Sequence, residues 1–376
     1  MHIGFDGKRF FHNVTGLGNY ARSTVLGLAE HFPEHRFTLY AARTTERFCT
    51  SSRQTNLRVH EACPAGRMFP AVWRSLAIPA AAGRDGLDIF HGLSHELPLT
   101  GFAPATRTVV TMHDLLFLTH PGLYRWTDRR LYAWKYRRSC EKADMVVAIS
   151  RKTADDVREL FGIPDDRVRV AYQSCSPAFA EDIPAQELER LRRAHSLPAE
   201  FILFVGSLIP RKGVRTLIDA LAALPAADRP GLAVVGQGPM EDALREQAAR
   251  LGLSGLVHFL GRVADTDLPG LYRLARVFAY PSVGEGFGIP ILEGLASGVP
   301  VVTSTGSCFA EAGGDAALYA TPGDADELAA ALARALGDET LRRDMIARGR
   351  RHALNFHISR TSARLMEIYA ELGAGR

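Results

Sequence analysis

Twice along its 376 residues the chain alternates short apolar runs with helical stretches, and no other feature narrows its possible folds so far. The first series places strands at 2–6, 36–41, 88–91, 108–112, 145–149 and 168–171, with helices following residue 20, at 124–143 and at 152–161. The second places strands at 201–206, 232–235, 257–260, 277–280, 300–303 and 317–320, with helices between them and three more after Asp324. Continuous apolar runs of this length, separated by helical segments, read as strands of a parallel sheet covered on both faces. The expected fold class is therefore α/β, with two doubly wound, Rossmann-like domains. The length exceeds what one core usually reaches. The pattern breaks over 173–200, where serine, proline and charge replace it, so the expected units are 1–175, a linker 176–198, and 199–355. The halves share an architecture but show no sequence repeat.

The stretch from Ser282 to Gly294 carries most of the chemistry. A buried run, Val277-Phe278-Ala279-Tyr280, ends at Pro281. A glycine-dense turn follows, and then a helix with Pro290 in its first turn, where a missing N–H costs nothing. Such a strand–turn–helix unit points free N–H groups and the positive helix end at whatever lies above the sheet. Glu285 and Glu293 frame it. An anion cradle with two carboxylates suits a ligand with both phosphates and hydroxyls, and a sugar nucleotide has both. The 201–206 strand runs into Gly206-Ser207 and then Arg211-Lys212-Gly213. An Arg fork beside a Lys point charge at a strand's carboxyl end suits a pyrophosphate, although basic residues near a turn are also often merely solvated.

Other motifs leave two readings open. Gly16-Leu17-Gly18 is an incomplete dinucleotide fingerprint: either its backbone approaches a phosphate, or a helix start there needs small residues. His113-Asp114 follows a strand and is either a ligand-facing pair or a satisfied structural one. His91, His95 and Glu96 follow another strand and are candidates for an acceptor side. Asp265-Thr266-Asp267 looks like a divalent-metal triplet, but capping of the next helix explains it better. No metal site is expected. The 124–142 stretch interleaves basic residues with Trp126, Tyr132, Trp134 and Tyr136, and reads either as an interfacial surface or as an amphipathic helix with its aromatics inward.

Charge is uneven. Residues 1–180 hold 24 Lys+Arg against 17 Asp+Glu, or +7, and the remainder holds 21 against 24, or −3. Without a recognition motif this does not argue for nucleic acid; an anionic membrane surface or lipid-linked acceptor fits it as well. No stretch approaches a membrane span, and the N-terminus lacks the apolar core of a signal peptide. Five scattered cysteines without metal spacing read as free buried thiols of a reducing cytoplasm.

Taken in order, Gly16-Leu17-Gly18-Asn19-Tyr20, His113-Asp114, Gly206-Ser207, Arg211-Lys212, Gly261-Arg262-Val263, the Glu285-to-Glu293 element and Gly298-Val299-Pro300 resemble glycosyltransferase family 4. The resemblance implies the GT-B fold, with two domains facing a cleft and a C-terminal helix, 356–376, packing towards the first. It implies a retaining hexosyltransferase that takes sugar from a nucleoside diphosphate without a metal or other cofactor. Arg211 and Lys212 would hold the donor diphosphate, with Gly16, Gly18, Gly206 and Ser207 nearby. Glu293 would bind the ribose, and Val263 would line the base pocket. Glu285, Gly286, Phe287, Gly288 and Ile289 would hold the sugar, with His113 beside its anomeric carbon. Catalytic roles would fall to His113, Arg211, Lys212 and Glu285. The N-terminal pattern is similar to bacterial surface-polysaccharide mannosyltransferases. That makes GDP-mannose the first donor expectation, and an oligosaccharide or lipid-linked glycan the acceptor, met by a cytoplasmic enzyme peripheral to the inner membrane. Asn19 departs from the basic residue that many relatives carry. The alternatives are a sugar-nucleotide epimerase of the same fold and a non-catalytic nucleotide-sugar-binding protein.

Overall fold

The computed structural model describes the whole chain except residues 46, 47, 49–53, 375 and 376. Among the described residues thirteen strands form: β1 His2–Asp6, β2 Arg36–Ala41, β3 Leu57–Glu61, β4 Ile89–Gly92, β5 Arg107–Met112, β6 Met145–Ala148, β7 Val168–Val170, β8 Phe201–Val205, β9 Gly231–Val235, β10 Val257–Gly261, β11 Val277–Tyr280, β12 Val301–Ser304 and β13 Ala317–Ala320. They make two sheets, ordered β3-β2-β1-β4-β5-β6-β7 and β10-β9-β8-β11-β12-β13. Their ladders are parallel. Each sheet is wound outward from its first strand in both directions, so the doubly wound α/β class expected from the alternation is the one observed.

The chain divides into two units. One comprises Met1–Ser174 together with Ile358–Arg376, and the other comprises Cys175–His357. In the second, Phe201, Ile202, Leu203 and Phe204 are all fully buried. Burial of each such side chain is worth about 1.5–3 kcal/mol. The helix Val214–Ala223 buries Val214, Leu217, Ile218 and Leu221, a stripe at helical spacing, and Pro225 follows its end. In the first unit the helix Ile358–Ala374 packs on the helix Gly16–His31. Its Tyr369 hydroxyl lies 2.7 Å from Nδ1 of His91 on β4.

Three details depart from the sequence reading. β3 goes unrecognised because Leu-Arg-Val-His-Glu is an edge strand with only Leu57 buried, too polar to register as an apolar run. The glycine pair is not in a turn before its helix: Gly16 opens the helix Gly16–His31, and Gly18 lies in its first turn. The thiols are also not uniformly buried. Cys140 and Cys308 are, Cys175 is half-buried and Cys63 is exposed; all four are free, and Cys49 lies outside the described residues. Among the described residues no helix is long and apolar enough to cross a membrane.

The two glycines have different surroundings. A Cβ on Gly18 would stand 1.8 Å from the Asn13 carbonyl oxygen, whereas one on Gly16 would meet nothing within 4 Å. Gly18→Ala is therefore expected to lower unfolding free energy by about 1–3 kcal/mol through overpacking. Gly16→Ala should be neutral or stabilising by about 0.5–1 kcal/mol. Denaturant titration of the two variants checks this, and equal losses would contradict the packing described.

Candidate functional site

In the C-terminal unit the winding reverses between β8 and β11, and in open α/β sheets ligands settle beyond the strand ends at that place. β8 leads into Gly206, whose N–H donates to the Val235 carbonyl (2.9 Å), and into an exposed Ser207. The chain then makes a single 3-10 turn, Pro210–Lys212, ended by Gly213 at φ +71°. A Cβ there would lie 2.0 Å from the Pro281 carbonyl oxygen at the end of β11, so only glycine lets the Arg-Lys turn sit against that strand end. One more contact fastens the segments: the Val283 N–H donates to the Arg211 carbonyl at 2.8 Å.

This docking brings Arg211, Lys212 and Glu285 together. Oε1 of Glu285 lies 2.6 Å from the Arg211 guanidinium and 2.7 Å from Lys212 Nζ. The same oxygen accepts from the Ser282 hydroxyl at 2.6 Å and the Tyr280 hydroxyl at 3.0 Å. Tyr280 in turn accepts from Lys212 Nζ at 2.5 Å. The three charged side chains are only 17%, 12% and 11% exposed. Burial alone would raise the Glu285 carboxyl, but Lys212 and Arg211 outweigh it and hold its pKa at about 2. The Glu285 backbone is pinned as well: its N–H donates to Ser307 Oγ (3.2 Å), and that hydroxyl donates back to the Glu285 carbonyl (3.0 Å). Ser307 has φ +48°, a left-handed backbone rare outside glycine.

Gly288 precedes the helix Ile289–Ser297, whose start has no side-chain cap. Gly286 and Ile289 are half-buried, while Phe287 is buried and packs on Phe356 at 5.4 Å. Glu293, on that helix, has different partners from Glu285: it accepts from the Tyr272 hydroxyl at 2.9 Å. Burial pushes its pKa up to about 7, against the pull of that hydrogen bond and with help from Asp265. Two carboxylates eight residues apart thus hold opposite charge states below neutrality. Val263 is buried. Asp267 precedes the helix Leu268–Leu274 without a side-chain capping bond; it pairs instead with Arg190 (3.0 Å) and His195 (3.3 Å), which corrects the capping expectation. Among the described residues no group of three or more His, Cys, Asp and Glu is arranged to hold a metal.

In the N-terminal unit the strand ends carry buried histidines. His113 is 5% exposed; its Nε2–H donates to the Leu93 carbonyl (2.8 Å) and its Nδ1 accepts from the Gln173 amide (3.2 Å). The Tyr20 ring meets it edge-on at 4.7 Å. His95, at φ +64°, accepts from the His113 N–H (3.1 Å) and stacks on Tyr136 at 4.5 Å. His91 is fully buried between Tyr369 and the Thr111 hydroxyl, each 2.7 Å away. Its acceptor-side assignment is corrected accordingly, because both ring nitrogens are used inside the unit. Glu96 bonds Lys135 at 2.9 Å and lies 3.7 Å from Arg74, which is itself paired with Asp6 at 2.6 Å. Asp114 accepts from the Leu116 N–H at 3.1 Å. The sequence reading passed over Tyr280, Ser282, Ser307, Gln173 and the Asp6–Arg74 pair. Of these only Ser282, inside the singled-out stretch, stood near a signal.

Burial lowers His91, His95 and His113 to about 3 each. These rings stay neutral in the fold but protonate in the unfolded chain below its ordinary value near 6.5. The N-terminal unit should then lose stability as pH falls from 6.5 towards 3, by about 1.4 kcal/mol per pH unit for each histidine. Glu293 has the opposite sign: its folded value exceeds the unfolded one, so acidification from 7 towards 4.5 favours the C-terminal unit. Hydrogen-exchange protection at pH 7 and 5.5, corrected for intrinsic rates, should fall in the first unit and hold or rise in the second.

Comparison with known proteins places this geometry. A glycosyl transferases group 1 model matches residues 186–352, and a glycosyltransferase family 4 model matches 14–177. The chain is 34% identical over 295 residues to O-antigen chain mannosyltransferase B of Escherichia coli, an alignment covering 77% of this chain and 76% of that one. It is 31% identical to the serotype-specific mannosyltransferase WbdA of Escherichia coli over 75% of its own length, but spans only 36% of that protein. In fold it is similar to a sucrose-phosphate synthase from Thermosynechococcus elongatus (TM-score 0.78, 20% identity, all of both chains). Anabaena HepE in complex with UDP-glucose shares the fold too (TM-score 0.75, 20% identity, 99% and 100% covered). With a relative 34% identical over about three quarters of both chains and two family models side by side along it, the chain belongs to glycosyltransferase family 4 and is a glycosyltransferase.

Proposed function

We propose that the enzyme transfers a hexose, mannose before others, from a nucleoside diphosphate to a hydroxyl of a growing, lipid-linked glycan, with retention of anomeric configuration and without a metal. The observation that carries the donor half is the Arg211–Lys212–Glu285 cluster at the winding reversal. Two cations meet at one carboxylate in a largely dry place at the strand ends, and an Arg fork beside a Lys suits a diphosphate. Breaking a glycosyl–phosphate bond builds negative charge on the leaving diphosphate. Arg211, Lys212 and the uncapped start of the helix Ile289–Ser297 supply the stabilisation that a divalent cation would otherwise give. Glu285 binds sugar hydroxyls and Glu293 those of the ribose.

Retention is supported by what His113 is not. With one nitrogen donating to a carbonyl, the other accepting from an amide, and protonation suppressed, it is a poor general base. In the proposed route the departing phosphate oxygen takes the acceptor's proton as the new bond forms on the same face. The assignments of Gly16, Gly18 and His113 to the donor rest on the family resemblance, and those of His95, Glu96 and Asp114 to the acceptor side on their places after strand ends. GDP-mannose is favoured because the relatives that share most of this length are named mannosyltransferases. One of these relatives is named for the O-antigen chain, which supports a bacterial surface glycan as the product; a cytoplasmic enzyme peripheral to the membrane is part of the same proposal.

A thermal-shift panel of nucleoside diphosphates and their sugars, with and without EDTA, tests this; no stabilisation by any of them would sink the donor reading, and loss of binding in EDTA the metal-free one. Arg211→Ala leaves Glu285 paired with Lys212 and is expected to stay folded but to melt below wild type, while kcat falls about 10²–10³-fold, the usual cost of one such donor. Below its raised pKa of about 7 Glu293 is protonated, so affinity for a sugar nucleotide should strengthen as pH rises from 6 to 8. The gain is about tenfold per pH unit at most. Glu293→Gln should bind weakly and lose that dependence, which calorimetry would show.

A further inference from the structure

The helix Trp126–Lys142 divides its aromatics between two faces. Tyr132 and Tyr136 are half-buried, stack on each other at 5.5 Å, and meet Phe117 edge-on at 5.9 and 5.6 Å. Trp126 and Trp134 point the other way, 65% and 55% exposed, and Leu131 is 52% exposed. With Arg130 and Arg138, also exposed, the tryptophans form a ridge at four-residue spacing along one side. Residues 121–142 carry seven Lys+Arg against two acids.

The ridge continues onto a second element. Leu99 lines one shallow concavity with Trp134, Arg138 and Lys142, and its carbonyl accepts from Lys142 Nζ at 2.6 Å. The Leu99 N–H donates to the Ser75 carbonyl at 2.9 Å, which places it against the segment bearing Leu76. That segment exposes Met68, Phe69, Val72 and Leu76 by 51–70%. Soluble monomers rarely leave so many large apolar side chains bare in one region.

We infer that this face, the Trp126–Trp134 ridge with the Met68–Leu76 segment, docks on an anionic bilayer surface. Charge complementarity decides the occupant. Tryptophan prefers the headgroup level, aliphatic side chains reach just below it, and arginines between them meet lipid phosphates. A protein partner's surface would not need so nearly unbroken a run of basic residues. The inference deepens the lipid-linked acceptor reading, on which it rests, by naming the surface that holds the enzyme at its substrate.

Vesicle flotation tests it, with the thermal shift by GDP measured on the same preparations to follow the donor site separately. Wild type is expected to float with phosphatidylglycerol vesicles and not with phosphatidylcholine, and to be released as salt rises through the screening range. Trp126→Ser/Trp134→Ser should weaken flotation about tenfold or more with an unchanged GDP shift. Arg125→Ser/Arg130→Ser/Arg138→Ser should lower the salt needed for release, and it keeps the test open should the tryptophan variant fold poorly. A wild type that gives the GDP shift but does not float, or variants that float as wild type does, would overturn the inference and leave the transferase standing. A concentration-dependent dimer abolished by the tryptophan changes would also overturn it, by giving the face to a second copy. Flotation without any nucleotide shift would uphold the surface and count against the donor reading instead.

Discussion

Everything in the C-terminal unit serves one carboxylate oxygen. Oε1 of Glu285 takes four donors, two of them cationic, from two separate pieces of chain. A buried arrangement of this kind is costly to assemble and more costly to break, about 3–5 kcal/mol when one partner is removed. It therefore needs a scaffold that delivers each donor already in place. The scaffold consists of β8 and β11 side by side, the left-handed Gly213 at the Pro281 carbonyl, and Ser307 holding the Glu285 backbone. Tyr280 completes it: its hydroxyl takes from the lysine and gives to the glutamate, so both charges keep their positions through a neutral group that cannot ionise there. On the proposed donor reading, a diphosphate at Arg211 and Lys212 would replace one anion with another, and the carboxylate so freed would be available to a sugar hydroxyl.

The two units use one topology for unlike purposes. Both sheets reverse their winding after the first strand, and both place polar side chains beyond the strand ends. In the C-terminal unit those side chains are charged and compensate one another. In the N-terminal unit the innermost are histidines kept neutral by burial and tied into carbonyls, an amide and hydroxyls. A neutral imidazole fixed in one tautomer offers shape and a defined hydrogen-bond pattern without a charge. The two chemistries follow from burial and partners, not from the fold, which is common to both.

The sheets were legible in the sequence because fully buried parallel strands leave continuous apolar runs, as Phe201 to Val205 does. The edge strand Leu57–Glu61 was not, since an edge needs only one buried side chain and its pattern then resembles loop. Arg211, Lys212, Glu285 and Glu293 could be singled out because charged residues beside strand ends and glycine turns are conspicuous. Their partners could not. Tyr280 looks like one more core aromatic at the end of an apolar strand, and Ser307 like a loop serine, until a fold sets them against residues 5 and 22 positions away. The glycine pair leaves two readings open in the sequence for a related reason: a demand for closeness is visible there, but what comes close, here the Asn13 carbonyl, is not.

The bond between His91 and Tyr369 joins residues 278 positions apart inside one unit. It closes the N-terminal core with the helix Ile358–Ala374. During synthesis, the sheet of that unit is finished by residue 170, yet the surface that this helix covers stays bare while the ribosome makes the whole second unit. Order of manufacture and order of folding therefore part company. The C-terminal unit is the one that can complete itself from contiguous chain as it leaves the ribosome, and the first-made half waits for the last-made helix.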